Sequence, residues 1–103
     1  MRPIDAMEER LRIDKWLWHA RFYKTRSLAQ RAAESGLIRL NGNRLDKSST
    51  AVAPGDVLTL PRGREVVALR VLALGTRRGP APEAQALYQI LNETGLDRGP
   101  SAP

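Results

Sequence analysis

The sequence predicts a small α+β domain: two helices near the N-terminus, a small, mostly antiparallel sheet, and a short C-terminal helix. Three observations predict it. Apolar residues recur at helical spacing over residues 13–23 and again over 28–33. An Asn-Gly pair then opens a series of Val- and Leu-rich runs separated by Gly and Pro. After residue 83 the apolar spacing becomes helical again.

Residues 1–9 read as a loose lead-in. Asp14 favours a helix start through its charge near the positive end of the dipole. Ile13, Trp16, Leu17, Ala20 and Tyr23 then line one helical face. Lys15, Trp18, His19 and Phe22 lie on a second side, and this helix is expected to end near Phe22 or Tyr23. Thr25 is a good N-cap for the next helix, whose stripe is Leu28, Ala29, Ala32 and Ala33. Its alanines allow close approach to a neighbour. Ser27, Gln30, Arg31 and Glu34 point the other way, and Gly36 stops the helix.

Ile38 and Leu40 alternate with Arg39, and Asn41-Gly42 is a strong hairpin signal. Pro54-Gly55-Asp56 makes a turn, residues 57–60 a short strand, Pro61 to Arg64 another turn, and residues 65–74 a longer strand. Gly75 to Pro82 breaks the pattern. Ala84, Leu87, Tyr88 and Leu91 recur at helical spacing, which predicts a helix over residues 83–91. Residues 92–103 read as a disordered tail.

A chain of 103 residues with no cysteine excludes a disulfide scaffold and thiolate metal sites, and fits a reducing cytoplasm. No apolar run approaches the roughly 18 residues of a membrane span, and the N-terminus lacks the apolar stretch of a secretory signal. The formal net charge is +6, and it is unevenly placed. Residues 10–47 hold ten Lys/Arg against three acids, a local excess of seven, while the remainder holds seven cations against eight acids. Such clustering points to a polyanion partner, because bound cations release the counterions condensed on nucleic acid.

The helix junction concentrates this charge. Lys24 and Arg26 flank the capping Thr25, beside the unpaired N–H groups of a helix N-terminus, which attract phosphate. Arg12, Lys15, Arg21 and Arg31 lie on the same two helices, and Arg44 and Lys47 follow the hairpin. Trp16 belongs to the core stripe. Trp18 can either pack against strands or offer a base a stacking face. Arg77-Arg78 can either extend the basic face or lie on a loop. His19 reads as structural or solvated. No nucleophile–base arrangement, metal-ligand spacing or phosphate-cradling Gly loop is present, so no enzyme and no cofactor are expected.

The stretch LRIDKWLWHARFYKTRSLAQRAAESGLIRLNGNRLDKSSTAVAPGDVLTL resembles the RNA-binding domain named after small-subunit ribosomal protein four, the S4 domain. The resemblance rests on Arg12-Ile13-Asp14, Thr25-Arg26-Ser27-Leu28-Ala29, Gly36, Ile38-Arg39-Leu40-Asn41-Gly42 and Gly55-Asp56, in that order. A narrower one, carried by DKWLWHARFYKTRSLA and RRGPAPEAQALY, is to the small bacterial fifteen-kilodalton heat shock protein family. These resemblances imply one domain, with an S4 unit over residues 10–60 completed by residues 61–91. They imply a basic two-helix platform backed by a sheet, with RNA contacts at Arg12, Lys15, Arg21, Lys24, Thr25, Arg26, Ser27, Gln30 and Arg31. Asp14 would orient neighbouring cations, and Leu17, Phe22 and Leu28 would hold the helices together. The family often carries a long basic C-terminal extension, whereas this sequence stops soon after residue 91.

The functional expectation is a non-enzymatic, cytoplasmic and monomeric protein that binds structured ribosomal RNA. The resemblance adds the large ribosomal subunit and the recycling of subunits that still carry a nascent chain and tRNA. Two other readings stay open: a helix-turn-helix DNA-binding protein, and an RNA-binding accessory subunit of an RNA-modifying enzyme. The RNA reading requires the cations between residues 12 and 31 to converge on one open side.

Overall fold

The computed structural model describes residues 9–93. Its elements run β1 (Leu11–Arg12), α1 (Ile13–His19), α2 (Arg26–Glu34), β2 (Arg39–Leu40), β3 (Asn43–Arg44), β4 (Ala51–Val52), β5 (Val57–Arg62), β6 (Glu65–Val71), α3 (Ala81–Gln85) and β7 (Tyr88–Glu93). Among the described residues, β1 pairs only with β4. The other strands form one antiparallel sheet in the order β3-β2-β5-β6-β7. Residues 1–8 of the expected lead (1–9) and residues 94–103 of the expected tail (92–103) lie outside the described residues.

α1 is shorter than its apolar spacing suggests. It ends at His19, and Arg21 adopts φ 66°, a left-handed conformation usually left to glycine. The Phe22 N–H donates to Leu17 O (3.0 Å) and the Arg21 N–H to Trp18 O (3.1 Å), so the end carbonyls are satisfied within one reversed turn. That turn sends the chain straight into α2. The hairpin is tight for the expected reason: Asn41 (φ 52°) and Gly42 (φ 89°) both take the left-handed conformation of a two-residue turn, and Leu40 pairs with Asn43.

The helices and sheet share one core. Ile13, Trp16 and Leu17 from α1 and Ala29 and Ala33 from α2 meet Leu58, Leu60, Leu69 and Val71 of the sheet, with Ile38 between them. Trp16 is fully buried, and its indole N–H donates to Ala73 O at 2.8 Å, fastening α1 to the segment after β6. Leu28, expected to clamp the helices, is instead 43% exposed; the small Ala29 and Ala33 make that contact.

The C-terminal region departs most from expectation. The predicted helix over residues 83–91 shrinks to α3, and residues 88–93 become β7, including two residues expected in the tail. β7 pairs with β6 from Val71↔Tyr88 to Val67↔Glu93, with a bulge between Ala68 and Leu69. Helical spacing and strand alternation both fit this apolar pattern, and the unpaired donors and acceptors along β6 favour the strand. The turn expected at Pro61 also moves: β5 runs on through Arg62 before reversing. Among the described residues, no helix is long and apolar enough to cross a membrane.

Candidate nucleic-acid interface

One cationic feature is built around a buried acid. Asp14, only 1% exposed, accepts from Arg12 Nε (3.2 Å) and Arg12 Nη2 (3.0 Å). Arg26 Nη2 stands 3.6 Å from the same carboxylate. Arg12 enters from β1 and Arg26 from the first turn of α2, so one carboxylate draws two elements together. The two arginine side chains stay 48% and 43% exposed. One negative charge cannot neutralise two guanidinium groups, and these half-exposed groups keep further N–H donors of the kind that bond phosphate.

Thr25 sits beside this centre and caps α2, its hydroxyl oxygen accepting from the Leu28 N–H at 3.1 Å. The N–H groups of Arg26 and Ser27 have no acceptor among the described residues. They add donors at the positive end of the helix dipole. Thr25→Ala is expected to lower folding stability by about 1 kcal/mol, the usual loss for an N-cap hydroxyl, with Thr25→Ser nearly neutral. Chemical denaturation of the two variants measures this.

The other expected residues are placed less uniformly. Gln30 follows Arg26 by one turn on the same stripe of α2. That stripe continues to Glu34, which accepts from the Ser48 hydroxyl at 2.9 Å. Lys47, exposed and next to Ser48, borders the same edge. Ser27 and Arg31 are exposed but lie on a neighbouring stripe, with Arg31 turned about 140° from Arg26 around the helix. Lys24 is exposed in the junction. Arg44, on β3, lays its guanidinium over Gly36, where a Cβ would collide with it.

Arg21 departs from the group, donating from Nε to Gly79 O at 2.7 Å. α1 contributes little open surface, because Ile13, Asp14, Trp16, Leu17 and His19 are buried. Only Lys15 and Trp18 are partly exposed, three residues apart and so on one face. Convergence is therefore partial: Arg12 and Arg26 meet, Gln30 and Lys47 border them, and Arg21 and Arg31 point elsewhere.

Arg77 is committed to Glu83 at 2.8 Å. The hydrogen bond from Arg77 holds the Glu83 carboxyl below its ordinary pKa and raises that of Arg77. His19 is buried, with Nδ1 3.1 Å from Leu74 O, which makes it structural. Burial pushes the Tyr23 phenol pKa up. Among the described residues, no group of three or more His, Cys, Asp or Glu could hold a metal ion. Arg62, which no local pattern singles out, places its guanidinium 5.8 Å from the Phe22 ring centroid.

Residues 11–58 match the S4 domain. A heat shock protein 15 homolog of Haemophilus influenzae is 49% identical over 82 residues, covering 80% of this chain and 62% of that protein. The trimeric structure of Vibrio cholerae heat shock protein 15 superposes with a TM-score of 0.75 at 43% identity, covering 81% of this chain and 83% of that one. The chain belongs to the heat shock protein 15 family of S4-domain proteins. The RQC P-site tRNA stabilizing factor of Bacillus subtilis is also similar, 40% identical over 86 residues, covering 84% of this chain and 98% of that protein. The chain thus spans less than two thirds of the Haemophilus heat shock protein 15 homolog and nearly all of the Bacillus factor. The α+β architecture agrees with that of the Vibrio heat shock protein 15 structure. The trimeric state of that relative lends no support to the monomer expected from the sequence. None of these family names describes an enzymatic activity.

Proposed function

We propose that this chain is a non-catalytic RNA-binding protein that recognises structured ribosomal RNA on the large subunit and acts in ribosome rescue, on subunits carrying tRNA. The observation that carries this is the Arg12–Asp14–Arg26 centre beside the capped N-terminus of α2. Two fixed, half-exposed guanidinium groups and free helix N–H donors suit phosphates held at set spacing by a folded RNA. Side chains and backbone N–H groups that bond phosphate make up this centre, so shape recognition is the better fit. The Bacillus relative, named for stabilising P-site tRNA, supports the rescue setting, and a cytoplasmic location accords with that reading. Lys24, Gln30 and Lys47 extend the contact. Arg31, Arg44, Lys15 and Ser27 contribute at its margins, and Thr25 acts through the cap.

Titrating the protein with a folded large-subunit RNA fragment and with duplex DNA tests this. The fragment is expected to bind more tightly, with log affinity falling against log salt at a slope of roughly −3 to −4 for about four neutralised phosphates. Arg26→Ala is expected to weaken RNA binding by about 1–2 kcal/mol without unfolding the domain. Equal binding of duplex DNA would overturn RNA selectivity. Co-sedimentation with large subunits that do or do not carry tRNA tests the rescue setting, with preference for the tRNA-bearing particle expected.

A further inference from the structure

A second feature lies beyond the end of α1. There a cavity of about 120 Å³ opens between the helix junction, the end of β5, α3 and the start of β7. Its apolar walls are Phe22 and Tyr88, whose ring centroids are 4.7 Å apart at 49°. Arg62 reaches over the Phe22 ring from one side. Arg21, held in its left-handed conformation and anchored to Gly79 O, also lines the space. Gln85 adds an amide, and no carboxylate lines the space.

We propose that this notch receives one unstacked nucleobase of the bound RNA. The inference rests on the RNA-binding reading above and names a contact that reading does not contain. The space admits several waters and is on the scale of one planar ring. Its chemistry matches a nucleotide part by part. Aromatic faces and an Arg plane are the surfaces on which splayed bases stack. Gln85 and the Tyr88 hydroxyl can meet base edges, and the free N–H groups of Arg21 and Arg62 can meet the flanking phosphates. The absence of acid among the lining residues disfavours a cationic occupant. The strain at Arg21 gains a purpose, because the reversed turn sets the Arg21–Phe22 pair at the mouth of the notch.

The test uses two RNA hairpins that differ by a single bulged 2-aminopurine. The bulged hairpin is expected to bind at least about fivefold more tightly, the lower end of what one stacked base contributes, with quenched 2-aminopurine fluorescence. Arg62→Ala removes an exposed side chain, and Ala81→Leu fills the notch from an exposed position, so neither disturbs the core. Both are expected to abolish the preference and the quenching, and Ala81→Leu, which removes no charge, is expected to leave the paired hairpin unaffected. Arg26→Ala is expected to weaken both hairpins equally. Equal binding of the two hairpins by the unaltered protein, or a preference that survives both notch variants, overturns the inference and leaves RNA binding intact. Failure of both hairpins to bind at low salt overturns this inference and the RNA-binding reading together.

Discussion

Trp16→Ala is expected to destabilise the folded state by about 3–5 kcal/mol, the range for truncating a large buried aromatic side chain. Trp16 has no exposed surface and touches both layers of the molecule. Its ring lies 6.2 Å from Phe22 and 6.5 Å from Tyr88 by centroid, and its N–H holds Ala73 O. Truncation opens a void, removes both ring contacts and leaves a carbonyl unpaired. Small domains are stable by about 5–15 kcal/mol, so the variant would stand close to unfolding. Urea denaturation followed by circular dichroism measures the change. Trp16→Phe keeps most of the volume and deletes the donor, so a loss of about 1–3 kcal/mol is expected there. A loss below about 1 kcal/mol for Trp16→Ala would mean that α1 is not held to the sheet through this residue.

Asp14→Ala separates charge from geometry. It removes an acid and so raises the formal net charge by one from +6. If unspecific electrostatics governed RNA binding, affinity would rise. If Asp14 positions Arg12 and Arg26, affinity falls despite the added charge, because two long side chains must then be ordered on binding. A drop of about tenfold or more is expected, the equivalent of about 1.4 kcal/mol. Stability should fall as well, by about 1.5–3 kcal/mol for the lost charge-assisted hydrogen bonds. The guanidinium groups are nearly half exposed and can retreat into water, which keeps the loss below that of a fully buried ion pair. Filter binding at two salt concentrations, alongside denaturation, reads both effects. Tighter RNA binding by Asp14→Ala would refute the positioning role.

Local chemistry made much of this molecule legible. Thr25 before a stripe of small apolar residues marks a helix start, and the structure places the cap there. Asn41-Gly42 marks a two-residue turn because few residues tolerate two successive left-handed conformations. The cations at the helix junction were visible as a cluster in the chain. Where their side chains go was not. Arg21 follows a helix end whose reversed turn directs it to Gly79, far away in sequence. Arg31 lies close to Arg26 along the chain but on another stripe of the helix. Arg77 found Glu83, and Leu28 turned outward once Ala29 and Ala33 had closed the gap.

The sequence by itself determined the elements whose signals act within a few residues: the cap of α2, the hairpin, the central strands and the basic character of the N-terminal half. Tertiary structure alone decided that residues 88–93 complete a sheet rather than a helix, that Asp14 gathers Arg12 and Arg26, and that Phe22, Arg62 and Tyr88 meet around one cavity. The physical reason is range. Backbone conformation is biased by near neighbours, whereas strand pairing, buried charge and cavities depend on groups brought together only when the core closes.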